Sequence, residues 1–129
     1  MKRVTGLGGV FYKAKDKPAL LAWYKKYLQI SAEEWGAIFS PKDFLQMHPN
    51  GYQVWSLFPA DTDYFGPSNS SFMLNFTVED LDALLPILKS EGVNVMEKTE
   101  SGEFGKFGWI LDLEGNKIEL WEPPKENNI

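Results

Sequence analysis

The feature that most constrains the fold of this chain is an internal repeat whose two copies lie 64 positions apart. Asp16 and Asp80 each open the pattern D-x-x-A-L-L, which is typical of the start of a helix. The same shift aligns a second segment further along the chain: Gly51 with Gly115, Val54 with Ile118, and Pro59 with Pro123. Because two separate segments agree at one shift, the repeat predicts two equivalent halves with no net insertion between them.

Each half is predicted to contain one strand, one helix and then three further strands. In the first half the strands are predicted at 8–14, 34–39, 43–47 and 52–58, with a helix over 19–28. Asp16 is the expected N-cap of that helix, and Pro18 falls in its first turn, where proline is favoured. In the second half the strands are predicted at 72–78, 93–96, 107–112 and 117–121, with a helix between Asp80 and Gly92.

The length of the chain fits one domain. A chain of 129 residues buries roughly two thirds of its unfolded surface, which is enough for one core and not for two. We therefore predict a single domain over 1–129, with module one at about 6–60, a linker at about 61–70 and module two at about 71–124. The fold class is α+β, with two βαβββ modules in tandem.

Composition excludes several kinds of functional site. The chain has no Cys and a single His, so disulfides, thiolate zinc sites and sites with two imidazoles from one chain are excluded. That residue, His48, falls in a predicted turn and is expected to be exposed to solvent. A formal net charge of −5 argues against binding to nucleic acid. No signal peptide or membrane span is evident, which predicts a cytoplasmic protein without a membrane partner.

The paired βαβββ modules and the segment Asp112–Glu122, D-L-E-G-N-K-I-E-L-W-E, resemble the vicinal oxygen chelate superfamily. That superfamily includes glyoxalase I, extradiol dioxygenases and the bleomycin and fosfomycin resistance proteins. The resemblance extends from Gly6 to Pro123. It implies a half-open mixed sheet with helices on the outside and a binding site on its inner face. It also implies a small-molecule ligand and a homodimer, in which a second copy covers the apolar edges that such a sheet exposes.

The resemblance further implies four metal-ligand positions, on the first and last strand of each module: Gly9, Trp55, Met73 and Glu119. Gly9 has no side chain, Trp55 offers only an N–H donor, and Met73 carries a soft thioether. Glu119 is therefore the one residue of the four that suits a hard metal ion. One carboxylate is too little for a dedicated site, so neither a metal nor another cofactor is predicted.

Strand alternation indicates which side chains would surround Glu119. Lys117, Glu119 and Trp121 share one face of the last strand, whereas Ile118 and Leu120 face the helices. On the implied fold, the pocket around Glu119 is predicted to be lined by Phe11, Trp55, Met73, Asn75, Trp109 and Trp121. Trp109 is expected across a hairpin from Glu119. Tyr64, Phe65 and Phe104 lie in two loops that either form a lid over this pocket or pack on a partner.

Three functions are compatible with these features. The first is a metal-independent protein that binds a small organic molecule around Glu119, comparable in role to the drug-sequestering resistance proteins. The second is a glyoxalase-like lyase or isomerase in which Glu119 is the catalytic general base or the ligand of a weakly held divalent ion. The third is a structural or interaction protein whose cavity is filled by its own side chains. The sequence leaves open whether the chain is an enzyme.

Overall fold

The structure, a computed structural model, describes residues 1–125. Its helices and strands follow one another along the chain as α1 (Lys17–Tyr27), α2 (Pro41–Met47), β1 (Leu74–Thr77), α3 (Leu81–Ser90), β2 (Asn94–Gly102), β3 (Gly105–Leu111) and β4 (Lys117–Glu122). None of the helices in this part of the chain is both long and apolar enough to cross a membrane.

The four strands form one open mixed sheet in the order β1-β4-β3-β2. Strand β4 pairs parallel to β1 and antiparallel to β3, and β3 pairs antiparallel to β2. Helix α3 connects β1 to β2 and contacts the sheet through β2, β3 and β4. The second half of the chain thus has the predicted βαβββ order, and the prediction of an α+β fold is confirmed.

The core lies between the helices and one face of this sheet. Ile118 and Leu120 of β4 are fully buried there, as the alternation of apolar residues predicted. Helices α1 and α3 contribute to the same cluster, α1 through Leu20 and Tyr24 and α3 through Leu81 and Leu88. The opposite face of β4 therefore carries the remaining side chains, Lys117, Glu119 and Trp121.

The two copies of D-x-x-A-L-L start their helices in the same way. The carboxylate of Asp16 accepts a hydrogen bond from the backbone N–H of Ala19, and that of Asp80 accepts one from Ala83, each at 3.1 Å. Such an N-cap satisfies one of the free N–H groups in the first turn of a helix. The repeat in the sequence therefore corresponds to the same N-cap at the start of both helices.

The first half has the predicted helix but differs from the prediction in its strands. The segment 43–47, predicted as a strand, belongs to helix α2, and that prediction was wrong. Ser40 and Pro41 explain the difference, because Ser at the N-cap followed by Pro favours the start of a helix. Within residues 1–125, segments 8–14 and 52–58 join no strand ladder, and the segment 34–39 contributes only one end of an isolated bridge, Glu33–Gly36. The second half alone builds the sheet, and the division into modules at 60 and 71 stays a prediction.

Asp112 connects the β3–β4 turn to helix α1. One of its carboxylate oxygens accepts hydrogen bonds from the backbone N–H groups of Glu114 and Asn116, each at 2.9 Å. The other accepts one from the Asn116 side chain at 2.9 Å and one from the Tyr24 hydroxyl at 2.7 Å. Asp112 is buried, so these four donors replace the water that its carboxylate loses on folding.

Glu114, in the same turn, holds the start of α1. Its two carboxylate oxygens accept hydrogen bonds from the backbone N–H groups of Lys15, at 2.9 Å, and Asp16, at 2.8 Å. These bonds lower the pKa of Glu114, because they favour its charged form. The D-L-E-G-N segment of the sequence thus joins the two halves of the chain.

Candidate functional site

The carboxylate of Glu119 lies on the face of the sheet opposite the core. Its side chain lies between two neighbouring strands, since Glu119 is paired with Asn75 of β1 on one side and Trp109 of β3 on the other. The residue is 8% exposed, so its carboxylate is largely removed from water. The predicted position of Trp109 across the hairpin from Glu119 is confirmed by the register of the two strands.

Three side chains donate hydrogen bonds to this carboxylate. One oxygen accepts a bond from the Asn75 amide at 2.7 Å, and the other accepts bonds from the Trp109 indole at 3.0 Å and the Tyr64 hydroxyl at 2.5 Å. All three donors are neutral groups. Both oxygens of the carboxylate are thus hydrogen-bonded by neutral groups, which offsets part of the cost of removing its charge from water.

Lys117 lies two residues before Glu119 on the same face of β4. Its ammonium group donates a hydrogen bond to the Tyr64 carbonyl at 2.5 Å and lies 5.1 Å from the centre of the Tyr64 ring and 5.5 Å from that of Trp109. Burial lowers the pKa of Lys117, and the negative charge of Glu119 acts in the opposite direction. Lys117 therefore places a positive charge beside two aromatic faces next to the carboxylate.

Tyr64 reaches this site from the loop between the two halves. Its ring meets Trp109 edge to face, with centroids 6.0 Å apart and an interplanar angle of 87°, and it stacks on Phe58 at 5.3 Å and 22°. Burial, followed by the hydrogen bond to Glu119, raises the pKa of Tyr64 above its ordinary value of 10.0. The phenol is therefore neutral at neutral pH and acts as a donor to the carboxylate.

A second aromatic group lies further along the same face, around Trp121. The Trp121 ring is parallel to that of Phe107, with centroids 6.1 Å apart, and the Tyr52 ring meets it at 5.4 Å and 65°. The indole N–H of Trp121 donates to the Phe104 carbonyl at 2.7 Å. Phe107 was not among the predicted pocket residues, although the same hairpin register that pairs Trp109 with Glu119 also pairs Phe107 with Trp121.

The structure brings some of the predicted site residues together and leaves others apart. Asn75, Trp109 and Tyr64 contact Glu119, as described above. Phe11 and Trp55 are 97% and 79% exposed, because segments 8–14 and 52–58 do not join the sheet. Three further predicted residues make other contacts or none that bears on Glu119: Met73 is half-buried just before β1, Phe65 packs on Phe58 at 5.1 Å, and the Phe104 carbonyl accepts the hydrogen bond from Trp121.

The four positions at which the resemblance implies a metal do not fit one. Glu119 already uses both oxygens for hydrogen bonds, and Gly9, Trp55 and Met73 supply no hard ligand atom. Among residues 1–125, no group of three or more Asp, Glu or His side chains is placed to hold a metal ion.

His48 lies away from this site, in a cleft of about 790 Å³ between the end of α2 and the start of α3. It is half-buried and its ring packs on Phe44 at 5.5 Å, whereas the sequence predicted an exposed residue. Burial lowers the pKa of His48, and the carboxylates of Glu122 and Glu79 oppose that effect. The predicted turn that follows is present, since the Gly51 N–H donates to the His48 carbonyl at 2.8 Å.

Comparisons with known proteins bear on the fold. No family model matches the sequence. No curated protein matches it. An integron cassette protein from the mobile metagenome of V. cholerae is similar in structure, at 21% identity and a TM-score of 0.56, over 93% of this chain and 96% of that one. A protein from the mobile metagenome of V. pseudocholerae is similar at 21% identity and a TM-score of 0.55, over 93% and 95%.

A glyoxalase family protein from Enterococcus faecalis is also similar, at 27% identity and a TM-score of 0.37. The match covers 50% of this chain and 52% of that protein, so the chain spans about half of its length. The two integron structures cover nearly the whole chain and show the fold alone. With the βαβββ order of the second half, they support the α+β fold that the sequence predicted.

Proposed function

We propose that the protein is glyoxalase-like and binds a small organic molecule on the inner face of its sheet, with Glu119 as the anchor and without a metal ion. The ligand carries a hydrogen-bond donor, an amine or a hydroxyl, which meets the carboxylate. The observation that carries the proposal is a carboxylate only 8% exposed whose three partners are all neutral. The role would resemble that of the drug-sequestering resistance proteins. A cytoplasmic location stays a prediction.

The three partners of Glu119 differ in how firmly the fold holds them. Asn75 and Trp109 stand on strands that pair with β4 on both sides, so their positions follow from the ladder. Tyr64 stands on a loop, and loops move at lower cost than paired strands. A ligand can therefore take over the place of the Tyr64 hydroxyl while the other two donors stay.

The proposal predicts that ligand binding depends on the charge of Glu119. A library of small aromatic amines and hydroxyl compounds, screened by ligand-observed NMR, should yield binders whose affinity falls about 10-fold or more in Glu119→Gln, because hydrogen bonds to charged groups contribute about 1.5–3 kcal/mol. Glu97→Gln is the matched control, since it removes an exposed carboxylate from β2. Equal affinity in the two variants would overturn the proposal. So would tight, stoichiometric manganese, nickel or zinc found by elemental analysis after dialysis.

One observation favours a catalytic use of the same site. The Tyr64 hydroxyl lies 2.5 Å from a Glu119 oxygen, which is the distance of a strong hydrogen bond between a weak acid and a base. In a lyase or isomerase of this fold, Glu119 would remove a proton from a bound substrate. Glu119→Gln would then abolish turnover of that substrate with the circular dichroism spectrum unchanged, and retained turnover would exclude the catalytic role.

We also propose that the protein is a homodimer. The first half exposes large apolar side chains on segments that join no ladder within residues 1–125, among them Val10, Phe11, Val54, Trp55 and Leu57. A second copy that covers them would remove this apolar surface from water. Sedimentation equilibrium at micromolar concentration should give twice the mass of 14.7 kDa. Trp55→Lys should shift the protein toward the monomer, and a wild-type mass near that of one chain would contradict the proposal.

A further inference from the structure

We propose that the Tyr64 side chain occupies the place of the ligand, and that the ligand is therefore an aromatic ring that carries a hydroxyl group. This inference rests on the proposed function and specifies the chemical class of the molecule bound. In the structure the site around Glu119 is closed by the protein itself, and the closing group is a phenol. A group that fits a site so completely indicates the shape and chemistry of what can replace it.

The hydroxyl group is the first part of the match. The Tyr64 hydroxyl donates to the same Glu119 oxygen as the Trp109 indole, while the Asn75 amide holds the other oxygen. When Tyr64 leaves, one acceptor position on a buried carboxylate loses its donor, which is unfavourable. A ligand hydroxyl restores that bond, whereas an aromatic hydrocarbon of the same size does not.

The surroundings of the ring are the second part of the match. The Tyr64 ring meets Trp109 edge to face at 87° and stacks nearly parallel to Phe58. The Lys117 ammonium lies 5.1 Å from the centre of the same ring. Edge-to-face and cation–π contacts both require a π system in this position. An aliphatic alcohol would keep the hydrogen bond to Glu119 and lose these contacts, so the site favours an aromatic ring.

The third part is that the loop can leave. Its backbone-to-backbone hydrogen bonds form turns within the loop, from the Thr62 N–H to the Pro59 carbonyl and from the Gly66 N–H to the Asp63 carbonyl. It is attached to the second half by the Tyr64 hydroxyl, which donates to Glu119, by the Tyr64 carbonyl, which accepts from the Lys117 ammonium, and by the Ser70 hydroxyl, which donates to Asn116 at 2.7 Å. Withdrawal of Tyr64 therefore breaks no strand ladder and leaves Asn75 and Trp109 in place.

The test uses p-cresol, which is the Tyr64 side chain as a free molecule, and toluene, which lacks its hydroxyl. In the Tyr64→Ala variant, p-cresol should bind about 10-fold or more tightly than toluene, because only p-cresol donates to Glu119. It should also bind more tightly to Tyr64→Ala than to the wild type, where it has to displace Tyr64. Phe65→Ala is the matched control, since it truncates the neighbouring ring and leaves the phenol on Glu119.

A second measurement needs no variant. With ring-labelled tyrosine in the wild-type protein, saturation with p-cresol should shift the NMR signals of Tyr64 toward those of an exposed tyrosine. Unchanged Tyr64 signals at saturation, or equal affinities for p-cresol and toluene in Tyr64→Ala, would overturn the inference. A library compound without an aromatic ring that loses affinity in Glu119→Gln would support the proposed function and still contradict this one.

Discussion

Replacement of Gly105 by Ala is expected to destabilise the protein by about 3 kcal/mol or more, as strain at a special backbone conformation can. Gly105 is the first residue of β3 and has a φ of +102°, a backbone conformation that residues with a Cβ rarely adopt. A Cβ at this position would also overlap the carbonyl oxygen of Glu122 and lie 3.1 Å from the backbone nitrogen of Pro124. Both neighbours are backbone atoms, so no side-chain rotation relieves the overlap. Thermal and urea denaturation measure the loss.

Gly102→Ala is the control for this prediction. Gly102 is the partner of Gly105 in the β2–β3 hairpin, and a Cβ there would meet no atom within 4 Å. It should therefore change the free energy of unfolding by less than about 1 kcal/mol. If the two variants were equally stable, the close approach of Gly105 to the chain after β4 would be disproved.

Replacement of Asp112 by Ala is expected to lower the free energy of unfolding by about 3–5 kcal/mol, the range seen when a buried charged group is removed from its partners. The carboxylate of Asp112 accepts hydrogen bonds from the Tyr24 hydroxyl, two backbone N–H groups and the Asn116 amide. All four donors would lose their acceptor at once. The urea midpoint measures the effect, and the m-value checks that unfolding stays two-state.

Tyr24→Phe separates the two contributions to this effect. It removes only the bond between α1 and the turn, so the loss should be about 1.5–3 kcal/mol, the amount for one hydrogen bond to a charged group. The Tyr24 pKa is raised by burial, so the wild type is stabilised by the neutral phenol below pH 10 and loses that stability as pH rises further. As pH is raised above 10, the free energy of unfolding should fall less in Tyr24→Phe than in the wild type. If the two variants lost the same free energy of unfolding at pH 7, the hydrogen bonds of Asp112 within the β3–β4 turn would contribute nothing to stability, which would contradict the prediction.

Much of the second half could be predicted from the sequence because its signals are local. Asp80 caps α3, alternation along β4 sends Ile118 and Leu120 into the core, and the turn after Asp112 joins neighbouring strands. Even here β2 extends to Gly102, well beyond the predicted 93–96, because a polar run such as 97–101 gives no apolar pattern. Local patterns thus describe the elements better than their ends.

The first half could not be predicted in the same way. Segments 8–14 and 52–58 have the composition of strands, but a strand forms only where a partner supplies the ladder, and the sequence of one strand does not name its partner. The segment 43–47 shows the opposite case, in which Ser40 and Pro41 outweigh its apolar pattern. The repeat therefore predicted the equivalent helix starts and not the equivalent strands.

Part of the candidate site followed from strand register alone. Because β4 is central, Glu119 has neighbours on both sides, and the hairpin spacing identified Trp109 before the structure did. Tyr64 was expected as part of a lid. Its hydrogen bond to Glu119 depends on the path of a loop, and a loop has no periodic pattern of residues from which that path could be predicted. Lys117 was not among the predicted pocket residues, although its place two residues before Glu119 on the same strand face is the signal that puts it in the site.

The three hydrogen bonds to Glu119 close chain segments of very different length. The bond from Trp109 spans 10 residues, that from Asn75 spans 44, and that from Tyr64 spans 55. Loop-closure entropy grows with the logarithm of the span, so the two long closures cost about 1.3–1.5 kcal/mol more than the short one. The donors to this carboxylate therefore come from three parts of the chain, and Tyr64, which alone of the three stands on a loop, joins the longest span.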